Sequence, residues 1–232
     1  MCRKNKTQCV LLDPDPARWD KFAPLTPDQS LIDGFAPFEM AVRAAAKGHP
    51  EAATSELANV DGDAVRTWFI EHAQVAGNRR YKTFGKPPIG TWRGEVDPIA
   101  YPRAAVVMEV FAADAYRCRY CQRQVVHVDL LKHLRTILGR EVFSLGPTNL
   151  EMHGSAVAHR GVVDHLLPRK RGGRTEPGNL VTSCYPCNYG KAHYTLDDIA
   201  LAVPRPVKNN GWDGLVSLMP ALADVARRVA KA

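Results

Sequence analysis

Residues 162–191 read VVDHLLPRKRGGRTEPGNLVTSCYPCNYGK. An apolar run ends in Asp164-His165, and a basic loop containing Gly172-Gly173 follows. Asn179-Leu180 then leads to a Cys184-x-x-Cys187 pair with Asn188 directly after it. A second pair, Cys118-Arg-Tyr-Cys121, lies upstream. Two C-x-x-C pairs have the spacing by which thiolates close a tetrahedral Zn²⁺ site. Sulfur ligands choose zinc or an iron–sulfur cluster over magnesium. For either pair alone, a redox motif or a chance pairing competes with this reading. Zinc on Cys118, Cys121, Cys184 and Cys187 has no open position, so it would staple the fold and take no part in catalysis.

Asp164-His165 calls for a different chemistry. On a strand, neighbouring side chains point to opposite faces, so one ion does not easily take both. A carboxylate is a hard oxygen ligand suited to Mg²⁺ or Mn²⁺. An imidazole that titrates near neutrality suits a general base.

Together these residues resemble the HNH (ββα-metal) endonuclease family in its zinc-knuckle form. The pattern there runs roughly C-x-x-C, D-H-x-x-P with Gly-Gly, N-L, then C-x-x-C-N-x-x-K. Asp114-Ala-Tyr-Arg-Cys118 is similar to the turn that precedes the first knuckle in that family. The resemblance implies an α+β fold, a ββα-metal nuclease core stapled by a four-cysteine zinc site. It gives Asp164 to a catalytic Mg²⁺ or Mn²⁺ and His165 to the attacking water. Asn188 becomes the second oxygen ligand, fixed by the knuckle at the start of the next helix. Asn179 becomes the asparagine that bonds loop backbone, while Pro168, Gly172 and Gly173 turn the loop. Some members add a histidine one helical turn after the asparagine ligand. That position here is Ala192, and His193, one residue further, is left unassigned. The activity implied is hydrolysis of DNA phosphodiester bonds to 5′-phosphate and 3′-hydroxyl ends. Arg169, Lys170, Arg171, Arg174 and Lys191 are candidate phosphate contacts.

The chain has 232 residues, 45% of them apolar, enough for a sizeable core. Its net charge of +7 is uneven. Residues 1–78 hold 8 Lys/Arg against 11 Asp/Glu, whereas residues 79–103 hold 6 against 2. Such a local excess of cations beside a metal site suits nucleic acid.

The chain divides into a helical N-terminal region with a basic connector (1–103), a nuclease domain (104–203) and a C-terminal amphipathic helix (204–232). Helices are expected over residues 35–47, over 61–76 with Asp61 or Asp63 as cap and Gly77 as stop, and over Val128–Leu138 stopped by Gly139. The connector, residues 79–102, reads as a broken loop. Residues 122–160 exceed the usual spacer of the family. In the tail, Pro220 is expected to kink or split the helix. Cys2 and Cys9 are too widely spaced for a knuckle and read as free thiols.

No apolar run approaches the ~18 residues of a spanning helix, and the start lacks a long apolar h-region. The expected setting is cytoplasmic, with thiols kept reduced. DNA is the expected partner, with dimerisation or a partner subunit engaging 1–103 or 212–232. The competing reading is a zinc-ribbon nucleic-acid-binding module without catalysis, which would have no use for Asp164, His165 and Asn188 together. Restriction or phage defence, a mobile-element enzyme and a toxin are the roles open to such a nuclease.

Overall fold

The structure is a computed structural model and describes residues 11–84 and 94–231; Cys2, Cys9 and residues 85–93 of the connector lie outside these. Two short strands set the site. Strand β1 (Gly161–His165) pairs antiparallel with β2 (Leu180–Cys184), with Gly161 opposite Cys184 and His165 opposite Leu180. Helix α9 (Tyr185–Lys191) follows β2 without a gap, completing a ββα unit. The remaining helices wrap this unit, so the fold class is α+β.

Before the unit come α1 (Gln29–Asp33), α2 (Phe35–Ala46), α3 (Pro50–Leu57), α4 (Gly62–Glu71), α5 (Ala76–Phe84), α6 (Ala104–Ala113), α7 (Val128–Leu138) and α8 (Gly154–His159); α10 (Met219–Val229) comes last. Local chemistry explains their ends. Asp61 caps α4, its Oδ1 accepting from Ala64 N at 2.9 Å. His127 caps α7, and Gly139, at φ 81°, ends it.

The helix expected over residues 61–76 is shorter than its pattern, and Gly77 does not stop it. The chain leaves α4 at Glu71, makes a 3₁₀ turn at Ala73–Val75 and re-enters a helix as α5, with Gly77 inside. A Cβ on Gly77 would stand 2.4 Å from Gly190 O, so glycine is what lets α5 lie against α9. Close approach outweighs the helix penalty of about 1 kcal/mol.

The connector also begins as helix rather than loop. Arg79 and Arg80 are buried in α5. The Arg80 guanidinium donates to Ile199 O and Asp20 O, each at 2.8 Å, and lies over the Trp19 ring. It ties the N-terminal region to the chain beyond α9 and offers nothing to a phosphate.

Pro220 neither kinks nor splits the tail helix. It sits in the first turn of α10, where its missing N–H has no carbonyl to lose.

One core draws on all three stretches of the chain. Phe38, Val42 and Phe69 come from the N-terminal helices, Leu131, Leu134 and Phe143 from residues 122–160, and Leu222 and Val225 from α10. Each such side chain contributes about 1.5–3 kcal/mol when buried. The long spacer thus supplies core side chains and delivers α8 to the start of β1. A second, smaller cluster gathers Cys118, Tyr120, Val125, Val181, Cys184 and Cys187. No helix of the described residues is long and apolar enough to cross a membrane.

Candidate active site

The smaller cluster is organised by sulfur. After α6, Asp114 accepts from Thr182 N at 2.7 Å and pairs with Arg119 at 2.8 Å. This anchors the turn carrying Cys118 to β2. Cys184 closes β2 and caps α9, its Sγ accepting from Cys187 N at 3.4 Å. The four cysteine Sγ atoms lie within 4.8 Å of one another, and Cys121 and Cys184 are 3.7 Å apart. That is far beyond a disulfide bond. Four sulfurs each about 2.3 Å from one ion at tetrahedral angles stand about 3.8 Å apart, so the set fits Zn²⁺. Burial pushes the Cys118 thiol well above its ordinary value, whereas hydrogen bonds from Cys118 and its neighbours pull Cys121 well below. Sulfurs so crowded and buried favour a cation at their centre.

The first knuckle reaches further than its cysteines. Tyr120 is buried between Cys118 and Cys121, and its hydroxyl donates to Asp164 Oδ2 at 2.6 Å. Burial, then the Asp164 charge, holds this phenol well above its ordinary pKa, so it stays a donor. From α9, Lys191 stands 3.3 Å from the same oxygen and donates to His165 O at 2.8 Å. The expectation that Lys191 contacts phosphate is therefore corrected. Its side chain is 0% exposed, and it holds the end of β1. Desolvating an ammonium is costly without a carboxylate, and Asp164 supplies it. Asp164 Oδ1 has no partner among the described residues.

His165 faces different neighbours. Its Nε2 lies 3.0 Å from Thr175 Oγ1, and that hydroxyl donates to Ile99 O at 2.6 Å. A hydroxyl has one proton to give. With that proton on Ile99 O, the oxygen accepts from Nε2–H, which assigns Nδ1 as the bare nitrogen. Burial pushes the His165 pKa below its ordinary value, with the Asp164 carboxylate opposing, so the ring is neutral at pH 7. Thr175 is itself placed by Asp97, whose Oδ2 accepts from Thr175 N at 2.6 Å. Thr175→Val should leave His165 free to turn and slow turnover about tenfold, while Thr175→Ser should restore it; single-turnover kinetics with equal melting temperatures would separate positioning from folding.

Asp164, His165 and Asn188 line one cavity of about 520 Å³. From α9, Tyr185, Asn188 and Tyr189 reach it at helical spacing, and Ala192 just past the helix end lines it too. The Asn188 amide makes no hydrogen bond within the described chain. A free carboxylate oxygen and a free amide oxygen facing one cavity fit a hard divalent ion and leave positions for water and phosphate oxygens. His193 lines the cavity as well; α9 ends at Lys191 and Ala192 turns to φ 53°.

The loop between the strands is held by Asn179. Its Oδ1 accepts from Leu167 N at 2.8 Å, and its Nδ2 donates to Leu167 O and Arg174 O at 3.0 and 2.9 Å. A Cβ on Gly173 would overlap Leu167 O at 1.7 Å, so only glycine fits there. The four loop cations are not equivalent. Arg169 donates to Asp97 O while lining the cavity, and Arg171 pairs with buried Asp198 at 3.3 Å. Lys170 and Arg174 are exposed, and Lys170 lines the cavity.

Residues 154–193 match the HNH endonuclease family model. The chain carries an HNH domain. No curated protein and no solved structure matches the chain. The HNH segment holds α8, both strands, the loop and α9, and the match supports nuclease activity in general. Cys118, Tyr120, Cys121, Asp97 and Ile99 lie outside it, yet they pack against or hydrogen-bond its residues. Sequence reasoning passed over Tyr120, Thr175, Asp97 and Ile99, which the fold sets in hydrogen-bonded chains behind Asp164 and His165. Tyr120 had a signal in its place inside a knuckle, while the others had none.

Proposed function

We propose that the chain is a metal-dependent endonuclease that hydrolyses DNA phosphodiester bonds. The observation that carries this is the meeting of Asp164, His165 and Asn188 on one cavity, with Asp164 Oδ1, His165 Nδ1 and the Asn188 amide left unbonded among the described residues. Asp164 and Asn188 would hold Mg²⁺ or Mn²⁺, which when bound would neutralise charge on the phosphate and the leaving 3′-oxygen. The protein's own part is proton handling and alignment. His165 Nδ1 takes a proton from water, and the oxygen forms a bond to phosphorus as the P–O3′ bond opposite breaks. Thr175 and Ile99 keep Nε2–H engaged, so the ring cannot present the wrong nitrogen. Tyr120 and Lys191 hold Asp164 through Oδ2 and keep Oδ1 turned away from themselves. Family precedent gives 5′-phosphate and 3′-hydroxyl products, and mapping the ends of plasmid and phage DNA cut with Mg²⁺ or Mn²⁺ tests it. A protein that binds DNA and cuts none with any divalent ion would instead be a zinc-ribbon binding module.

The loop holds the nucleic-acid backbone, an interaction without sequence information. Lys170→Gln with Arg174→Gln should weaken DNA binding and lower the slope of log affinity against log salt by about 0.9 per lost duplex contact. Arg171→Gln should act on stability instead, because it strands buried Asp198. A double variant with the parent's slope would turn the loop away from the nucleic acid.

A further inference from the structure

Arg160 is a cation for which the fold itself has no use. It links α8 to β1, and its guanidinium carbon lies 5.0 Å from the centroid of the Tyr185 ring. Among the described residues it forms no ion pair and no side-chain hydrogen bond, and its Nε is buried without a partner. A buried donor left without a partner is costly. Stacking on a tyrosine offsets part of that and satisfies none of the N–H groups. Yet the side chain lines the same cavity as Asp164, His165 and Asn188.

Its position narrows what it can hold. Arg160 stands just before β1 and Asp164 near its far end, four residues and about 13 Å at most along the chain. The Arg169–Arg171 turn lies beyond the other end of β1. Cations therefore stand at both ends of the catalytic strand, with the reacting groups between them. A chain of phosphates crossing the cavity meets the loop on one side of the scissile bond and Arg160 on the other. Tyr185 holds the guanidinium in place one helical turn from Asn188, and a planar fork suits two oxygens of one phosphate.

We propose that Arg160 binds a phosphate neighbouring the scissile one, on the α8 side of the cleft. This rests on the nuclease reading and extends its footprint. Such a contact is made equally in ground and transition states, so it raises affinity and leaves the chemical step alone.

The test uses a labelled DNA duplex and the full chain in a His165→Ala background, with no divalent ion added. Arg160→Gln should weaken binding about tenfold at 0.15 M salt and reduce the salt slope by about 0.9, whereas Arg160→Lys should keep most of the slope. In the parent background, Arg160→Gln should raise KM with kcat nearly unchanged. Melting temperature and zinc content identify a misfolded variant, and Arg160→Lys then decides alone. If the duplex binds steeply and both variants match the background protein, Arg160 is a packing residue and the nuclease reading stands. If Lys loses as much slope as Gln, the group acts through Tyr185 and not through charge. If the His165→Ala protein binds no nucleic acid at any salt, Arg160 has no phosphate to hold and the nuclease reading falls with it.

Discussion

His165→Ala should cut DNA at least about 10²-fold more slowly than the parent, the scale on which acid–base help is lost. It should do so while folding, zinc content and DNA affinity persist. The imidazole is half-buried at the mouth of the loop and ligates neither ion in this reading. Among the described residues its one side-chain hydrogen bond is to Thr175, so its loss breaks little structure. Asn188→Ala should behave differently, keeping zinc and losing cleavage in a way that excess Mn²⁺ partly restores, since one oxygen donor is gone and Asp164 remains. Rates over a range of Mg²⁺ and Mn²⁺ concentrations distinguish the two. A His165→Ala protein that cuts like the parent would remove the proposed base and with it the mechanism.

What could be read from the sequence was what sits close together in it. Asp164-His165, Asn179, Cys184-x-x-Cys187 and Asn188 fall within thirty residues, and their order resembles the HNH pattern, which implies a strand pair, a turn and a helix. The four cysteines could also be paired across the long spacer, because a C-x-x-C pair declares itself wherever it stands. Legibility failed where a contact spans the chain. Nothing local marks Ile99 as the acceptor that fixes the His165 tautomer, or Asp97 as the carboxylate that seats Thr175. The segment holding them reads as a basic, Pro/Gly-broken linker. Charge misled in the same way. Lys191, Arg80 and Arg171 look like phosphate contacts in a row of letters, but each is turned inward onto oxygens of the protein itself. Long cationic side chains reach either way, and only the fold decides which. Gly77 misleads because one residue type ends helices and also lets them touch.

Cys184→Ser should abolish both the fold of the ββα core and cleavage, and the reason lies in how few other forces hold that core. The large hydrophobic core is built from the surrounding helices. The cluster under the site has six buried residues, and three of them are cysteines. Two five-residue strands and a seven-residue helix are too short to stand alone. Zinc binding contributes on the order of 10–16 kcal/mol in small zinc-finger peptides, as much as the whole stability of an ordinary domain, about 5–15 kcal/mol. Losing one thiolate therefore takes away more than the strand pair can supply. Cys184 is also the cap of α9, and serine can take over that cap, so what the helix carrying Asn188 and Lys191 loses is its zinc anchor. On the opposite side, the Cys118–Cys121 turn is released, and Tyr120 leaves Asp164 Oδ2 to Lys191 alone. Elemental analysis of parent protein purified without added metal should find about one zinc per chain, in line with a closed four-thiolate site. The variant should contain none, melt far lower or fail to accumulate as soluble protein, and show no cleavage that added Mg²⁺ can restore. A Cys184→Ser protein with the parent's melting temperature would mean that the staple holds nothing, and that the two halves of the site are joined by some force other than zinc.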